Sequence, residues 1–367
     1  MQVGHQSIAS RYLPPLTGIR ALAAMLVLGL HADQNLPAGV AVIFPFLTRG
    51  YLGVDFFFVL SGFIIAHVYM ERLAHLRRGA IQVFLWHRFI RIYPVHVTVL
   101  GALVVLVAFA RAAGVPMNYA QDWRGADIPW QLILLHAWGV VEKPTWNAPS
   151  WSISAEWFAY LLFPLLAPAL IWVRDRTSAW LIAAAVLAAT ALLYAVMGWS
   201  LNTWVGAPAL TRVFGEFLCG AALCRALALT GDPRHSSADL VGAGALVAFF
   251  VGASTGLPDF VLIALLALTI LGAATSEGFF AGTLGSRPLV WLGEISYSIY
   301  MVHFPVLIVV RRFWEHLGFA QWEAAGKIVA FVTTITLVVA LAALLFYVVE
   351  KPARSCLRDR MGRLAPA

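Results

Sequence analysis

The sequence predicts an all-α polytopic membrane protein of about ten transmembrane helices, with both termini in the cytoplasm. Hydrophobic residues make up 61% of the 367 residues and charged residues only 12%, against about 45–50% and 25% in soluble domains. Apolar windows of about 20 residues recur along the chain. Most of the 25 Lys and Arg residues lie in loops on the side of the two termini. The positive-inside rule places that side in the cytoplasm, so the net charge of +7 does not indicate nucleic-acid binding.

The predicted spans follow one another without a soluble second domain, so residues 1–367 are expected to form a single membrane domain. The ten spans lie near 16–33, 51–70, 93–111, 148–173, 178–197, 210–229, 238–255, 259–276, 289–309 and 326–349. Residues 71–92 predict an interfacial helix leading into the third span, and residues 128–141 predict a short helix at the opposite interface. Residues 350–367 form a short basic tail. The three cysteines lack CxxC spacing and indicate neither a disulfide framework nor a metal site.

The first span carries two ionisable residues, Arg20 and His31. Eleven residues correspond to about three helical turns, so both side chains project from one face about 16 Å apart along the axis. An ionisable residue inside a membrane span is costly without a partner and is by default a functional candidate. The rest of the chain is therefore expected to supply partners at both depths.

Near the cytoplasmic boundary the predicted spans gather a first polar layer. Arg88 and Arg91 are three residues apart and share a helix face. Glu350, at the end of the last span, lies level with them and with Arg20 and is expected to hold an arginine in place. Positive-inside anchoring is one explanation of the arginine pair. The other is a clamp for the phosphates of a nucleotide-like ligand.

The outer half of the spans holds a second polar layer, in which His31 is the candidate catalytic base. Glu156 lies about two turns inside the fourth span and Asp55 near the start of the second, so either is a candidate to orient His31. His303 and Tyr300 lie three residues apart in the ninth span. For Asp55 the alternative is a helix-start carboxylate, for Glu156 a structural pair, and for His303 a hydrogen-bonded core histidine.

Together these elements resemble the acyltransferase-3 family of integral membrane acyltransferases, which includes polysaccharide O-acetyltransferases. The resemblance covers about residues 15–350. The matching elements are the Arg20-x10-His31 pair, GVDFFFVLSGF at 53–63, the Arg88-x-x-Arg91 pair, WSISAEWF at 151–158, SYSIYMVHFP at 296–305 and the terminal Glu350-Lys351-Pro352. Residues that the family requires map onto Arg20, His31, Arg88, Arg91 and Glu350. The extra periplasmic esterase-like domain of some members is expected to be absent.

The resemblance implies transfer of an acyl group, most commonly acetyl, from cytoplasmic acyl-coenzyme A. The implied acceptor is a hydroxyl of a glycan or lipid-linked sugar at the periplasmic side of a bacterial inner membrane. No metal or nucleic acid is expected, the surrounding partners are membrane lipids, and homo-oligomerisation stays open. In this hypothesis Arg88, Arg91 and Arg20 bind the diphosphate and His31 is the general base.

Three questions stay open at the level of sequence. Either Tyr300 or a backbone donor stabilises the oxyanion. A covalent route through His31 or Ser152 is an alternative to direct transfer. Intramembrane His and Glu residues also build proton relays, so a proton-coupled secondary transporter is the alternative function. A non-catalytic membrane scaffold is disfavoured because ionisable residues cluster at two depths.

Overall fold

The computed structural model describes residues 13–36, 38–115, 120–230 and 237–364, which contain helices and no strands. Within these ranges, ten long helices form the body of the bundle: Pro14–Asn35 (α1), Leu52–Leu73 (α2), Arg78–Ala112 (α3), Trp151–Trp172 (α4), Arg176–Met197 (α5), Gly206–Ala228 (α6), Ser237–Thr255 (α7), Asp259–Thr275 (α8), Arg287–His316 (α9) and Ala324–Leu345 (α10). A π-helical turn, Phe346–Glu350, joins α10 to a last helix, Lys351–Leu364 (α11). Short helical segments lie at Val40–Ile43, Pro45–Arg49, Ala120–Trp123, Gly125–Asp127, Ile128–Leu132, Ala148–Ser150, Phe279–Leu284 and Phe319–Gln321.

Each of the ten predicted spans coincides with one long helix, which confirms the fold class. Nine helices of the described chain are long and apolar enough to cross a membrane. The remaining one, α8, is apolar but has 17 residues, or about 25 Å at 1.5 Å per residue. The side on which the termini lie stays a prediction, and residues 365–367 of the predicted tail lie outside the described residues.

Both of the expected interfacial helices take a different form. The segment predicted to lie at the interface is continuous with the third span, because α3 runs unbroken through Pro94 for 35 residues. Proline removes one intrahelical N–H bond, a loss that membrane helices tolerate. The hydroxyl of Thr98 donates to the Pro94 carbonyl over 2.8 Å. On the far side, the helix expected over 128–141 is confined to Ile128–Leu132, and turns follow it.

Helices α1, α2, α6 and α9 form the centre of the bundle. In α2, 72% of an apolar stretch of 18 residues is buried inside the protein, whereas in α5 the corresponding share is 17%. The outward surface of α5 is therefore available to lipid. Helices α2 and α6 approach closely at Gly62, where a Cβ atom would lie 1.9 Å from the Phe217 carbonyl oxygen. Small residues commonly permit such close contact between membrane helices.

The direction of the central helices fixes which residues lie at equal depth. Gly293 in α9 packs against Thr17 in α1, and His303 contacts His31 farther along both helices. Helices α1 and α9 are therefore parallel. We call the end of the bundle where α1 begins the terminal face, and the other end the opposite face. Helix α2 runs the other way, since Gly53 near its start packs against Ala23.

Candidate active site

A cavity of about 300 Å³ extends inward from the terminal face. On α2 its lining runs from Val68 to Val54, which is about 21 Å along a helix axis. Most of the wall is apolar. The polar lining residues include Arg20, Arg88, Arg91, Glu156, Tyr160, Ser61, Ser152, Tyr297 and Tyr300. A long, narrow, mostly apolar space with cations near one end suits an extended ligand with an anionic head.

The arginines occupy the end of this cavity nearer the terminal face. The guanidinium of Arg88 lies 5.2 Å from the ring centroid of Tyr69, and its Nη2 lies 3.5 Å from the Tyr69 hydroxyl. The Nε atom of Arg88 is buried without a hydrogen-bond partner in the described part of the chain. Arg91 lies over the Tyr297 ring at 5.5 Å. The structure thus brings Arg20, Arg88 and Arg91 to one cavity, as the first polar layer predicted.

Glu350 holds Arg91 in position. Its buried carboxylate pairs with the Arg91 guanidinium and accepts a hydrogen bond of 2.8 Å from the Ser298 hydroxyl. Glu350 is the last residue of the π-helical turn, which widens the helix locally and is a geometry frequent at functional sites. The predicted contact between Glu350 and an arginine is therefore present.

The inner end of the cavity is closed by Tyr300 and Ser152, whose hydroxyl oxygens lie 2.7 Å apart. The Tyr300 hydroxyl donates to the Pro149 carbonyl over 2.7 Å. Tyr300 also lies edge-on to Phe57, with ring centroids 6.3 Å apart. Each of these contacts ties α9 to the start of α4 or to α2. Together they form a septum at the inner limit of the cavity.

His31 and His303 lie on the far side of this septum and do not line the cavity. Their rings are stacked, with centroids 5.0 Å apart and 13° between the planes. His31 Nδ1 lies 2.9 Å from His303 Nε2, and His303 Nδ1 lies 2.5 Å from the Tyr300 carbonyl oxygen. The ring of Tyr300 lies 5.7 Å from that of His303, so Tyr300 separates the histidine pair from the cavity.

This chain of contacts fixes the tautomer of both neutral imidazoles. A carbonyl oxygen only accepts, so His303 Nδ1 carries the proton and its Nε2 accepts. His31 Nδ1–H must then be the donor to His303 Nε2. The remaining nitrogen of His31, Nε2, keeps a free lone pair, which is the requirement for a general base.

Neither predicted partner of His31 makes the expected contact. Asp55 is instead in a buried two-bond ion pair with Arg212, whose Nε and Nη2 atoms each lie 2.6 Å from a carboxylate oxygen. Glu156 lines the cavity and interacts with the Tyr160 hydroxyl. The expectation failed because a depth argument does not say which way each helix turns its side chains. The catalytic roles of Asp55 and Glu156 stay predictions.

Sequence reasoning assigned no role to Arg212, although an arginine inside an apolar span is itself a signal. Its Nη1 donates to the Leu201 carbonyl over 2.7 Å, and its guanidinium lies 5.3 Å from the Trp151 ring. Glu216 lies 3.9 Å away, and both of its carboxylate oxygens are buried without hydrogen bonds in the described chain. Arg212 therefore joins α6, α2 and α4 beneath the opposite face.

A second unpredicted cluster contains His96 and His136, stacked with centroids 5.7 Å apart. Each donates through Nε2 to a carbonyl, His96 to Gln131 over 2.9 Å and His136 to Ser150 over 3.0 Å. Burial lowers the pKa of His136, in the loop before α4, to about 3. The cluster fastens this loop to α3. Within the described ranges, no group of three or more His, Cys, Asp or Glu side chains is placed to hold a metal ion.

Comparison with known proteins gives one family and several relatives. The family model described as an acyltransferase domain, acyltransferase-3, matches residues 15–348. Acyltransferase MdmB of Streptomyces mycarofaciens is 31% identical over 386 residues, covering 96% of this chain and 94% of that protein. Peptidoglycan O-acetyltransferase OatA of Listeria monocytogenes is 24% identical over 376 residues, covering 94% of this chain but 56% of its own length. No solved structure matches the chain.

Proposed function

Because this chain belongs to the acyltransferase-3 family and is an acyltransferase with membrane-spanning helices, we propose that acyl-coenzyme A is its donor. The acyl group, most simply acetyl, passes to a hydroxyl of a glycan or lipid-linked sugar. The donor enters from the cytoplasm, at the terminal face, and the acceptor arrives at the opposite, periplasmic face of a bacterial inner membrane.

The observation that supports acyl-coenzyme A as the donor is the cavity with Arg20, Arg88 and Arg91 near its entrance. Guanidinium groups recognise phosphate oxygens through paired, charge-assisted hydrogen bonds. An extended arm behind a diphosphate would lie along the apolar wall of α2. Its thioester end would then reach Ser152 and Tyr300.

His31 is the general base. As the acceptor oxygen attacks the thioester carbonyl carbon, Nε2 of His31 takes the proton from the acceptor hydroxyl. The carbon–oxygen bond forms, and the carbon–sulfur bond breaks when the tetrahedral intermediate collapses. The leaving thiolate then takes the proton from the imidazolium, so an ester and a free thiol leave a neutral His31.

The septum of Tyr300, Ser152 and Phe57 lies between the proposed thioester position and His31. Transfer therefore requires the Tyr300 side chain to move. When its hydroxyl leaves the Pro149 carbonyl, the same O–H can donate to the oxyanion. Tyr300 and a backbone N–H therefore both remain candidates for stabilising the oxyanion. The partners of Ser152 Oγ are the Pro149 carbonyl and the Tyr300 hydroxyl, neither of which is a base, and this favours direct transfer over a Ser152 intermediate.

The proposed class of acceptor rests on the names of relatives, one of which is a peptidoglycan O-acetyltransferase. That protein is longer than this chain, so the shared part of it supports the transfer step rather than the particular glycan. A glycan hydroxyl that approaches from the opposite face would meet His31 without entering the donor cavity.

Release of free coenzyme A thiol by the purified protein in lipid nanodiscs tests this function. Acetyl-coenzyme A and a soluble glycan acceptor are expected to give thiol release that needs the acceptor, and His31→Ala is expected to reduce it by about 10²- to 10⁴-fold. Full activity in His31→Ala would overturn the role of His31. Acceptor flux in proteoliposomes without coenzyme A would instead support the transporter alternative.

A further inference from the structure

Helix α11 brings two more arginines beside the entrance of the donor cavity. Glu350, Arg354 and Arg358 are spaced four residues apart, and this spacing places them on one side of a helix. The indole Nε1 of Trp86 in α3 donates to the Leu357 carbonyl over 3.2 Å, which fastens α11 to α3 between the two arginines. The sequence had indicated only a basic tail here.

Arg354 is part of the same electrostatic cluster as the cavity arginines. Its Nη1 lies 3.5 Å from the Glu350 oxygen that also pairs with Arg91. Arg354 is close enough to Arg20, Arg88 and Arg91 to repel them, and Arg358 is close to Arg354. The carboxylates that act on Arg20 are Glu350 and Glu156. Arginines therefore outnumber these carboxylates at the entrance, and such a surplus of positive charge favours the binding of a polyanion.

The two sets of arginines differ in position. Arg20, Arg88 and Arg91 line the cavity, whereas Arg354 and Arg358 stand outside its lining. Arg358 is exposed, and the Arg354 side chain is 44% exposed. A ligand that enters the cavity through its diphosphate would keep any further phosphate outside, next to α11.

Coenzyme A carries such a phosphate on the 3′ position of its ribose, apart from its diphosphate. On the basis of the donor proposed above, we propose that Arg354 and Arg358 bind this 3′-phosphate, so that α11 forms the second wall of the donor site. The arginines in the cavity bind the diphosphate, and those on α11 distinguish coenzyme A from donors that lack the 3′-phosphate.

The test compares the affinities of acetyl-coenzyme A and 3′-dephospho-acetyl-coenzyme A by calorimetry in detergent. The wild type is expected to prefer acetyl-coenzyme A by about tenfold or more, as expected for loss of charge-assisted hydrogen bonds. In Arg354→Gln/Arg358→Gln the affinity for acetyl-coenzyme A is expected to fall to that for the dephospho form. The affinity for the dephospho form itself is expected to stay within about twofold of the wild type.

Lys351→Gln is the matched control, because it removes one positive charge from the same helix at a residue that lies 5.7 Å from the Tyr347 ring. The single variant Arg358→Gln changes only an exposed residue. It therefore tests the same contact if the double variant fails to fold. An unchanged preference in the double variant, equal losses for both ligands, or no preference in the wild type would overturn the assignment. Failure of the wild type to bind either ligand would overturn the proposed donor instead.

Discussion

His31 and His303, separated by 272 positions in the chain, stack against each other with His31 Nδ1 2.9 Å from His303 Nε2. The contact exists because α1 and α9 run parallel and approach closely, so that equal depth becomes direct contact. His303 is fixed in turn by the carbonyl of Tyr300, the residue that closes the donor cavity. His31 and the cavity wall are thereby coupled through one turn of α9.

His303 is expected to act by positioning His31. In His303→Ala the Nδ1–H of His31 loses its acceptor, so the imidazole is free to rotate and to exchange tautomers. Turnover is expected to fall by about 10- to 100-fold, as for other residues that orient a functional histidine. His303→Gln offers an amide oxygen as acceptor and is expected to recover part of the loss. The rate of coenzyme A thiol release measures the turnover of both variants.

The control for this prediction is the affinity for acetyl-coenzyme A, which should stay unchanged in both variants because His303 does not line the cavity. Equal and unimpaired turnover in His303→Ala and His303→Gln would show that His31 is oriented by another group.

The fold was largely predictable, because a run of apolar residues long enough to cross a bilayer has few alternatives to a helix. The grouping of Arg20, Arg88, Arg91 and Glu350 was predictable as well, since all four lie near one boundary. The pairing within the outer layer was not. Depth placed Glu156 and His303 level with His31. Only the rotation of α4 and α9 about their own axes decides which of the two contacts His31.

The π-helical turn that ends α10 and the ion pair of Asp55 with Arg212 could not be read from spacing either. No spacing of apolar and polar residues in Phe346–Glu350 distinguishes the π-helical turn from the α-helix before it. The partner of Asp55 lies 157 positions away on α6. The apolar patterns place Asp55 and Arg212 inside the bundle, but they carry no information about contacts between α2 and α6.

The pair of Asp55 and Arg212 is expected to be structural. Asp55→Ala removes both hydrogen-bonded carboxylate contacts of the buried Arg212 guanidinium and leaves it only Glu216, 3.9 Å away, which is expected to cost about 3–5 kcal/mol in the free energy of unfolding. Replacing both residues, as Asp55→Asn with Arg212→Met, removes both charges of the hydrogen-bonded pair and is expected to restore part of the thermal stability and the turnover. Thermal unfolding in detergent and thiol release are the measurements.

A catalytic Asp55 predicts a different outcome for the double variant. It would then regain stability but remain inactive, and that result would return Asp55 to the reaction.

The contact of α2 with α6 is expected to depend on Gly62. Its replacement by alanine would place a Cβ atom 1.9 Å from the Phe217 carbonyl oxygen, so the helices must separate. Overpacking of this kind costs about 1–3 kcal/mol or more. Gly101→Ala in α3 is the matched control, because no described atom beyond its own stretch of helix lies within 4 Å of its Cβ position and alanine is the better helix former.

Thermal unfolding of the two variants in the same detergent compares these effects. Gly62→Ala is expected to unfold at a lower temperature than the wild type, and Gly101→Ala at the same or a higher one. Equal stability of Gly62→Ala and the wild type would contradict the close approach of α2 and α6.

The central claim is that the cavity lined by Arg88 and Arg91 holds the anionic end of an acyl-coenzyme A donor. Its most direct test is the affinity of the purified protein for acetyl-coenzyme A, measured for the wild type and for Arg88→Ala/Arg91→Ala. We expect saturable binding by the wild type and its loss in the double variant, in which the main phosphate contacts are gone. A wild type that binds neither acetyl-coenzyme A nor a longer acyl-coenzyme A, or a double variant that binds as tightly as the wild type, would contradict it.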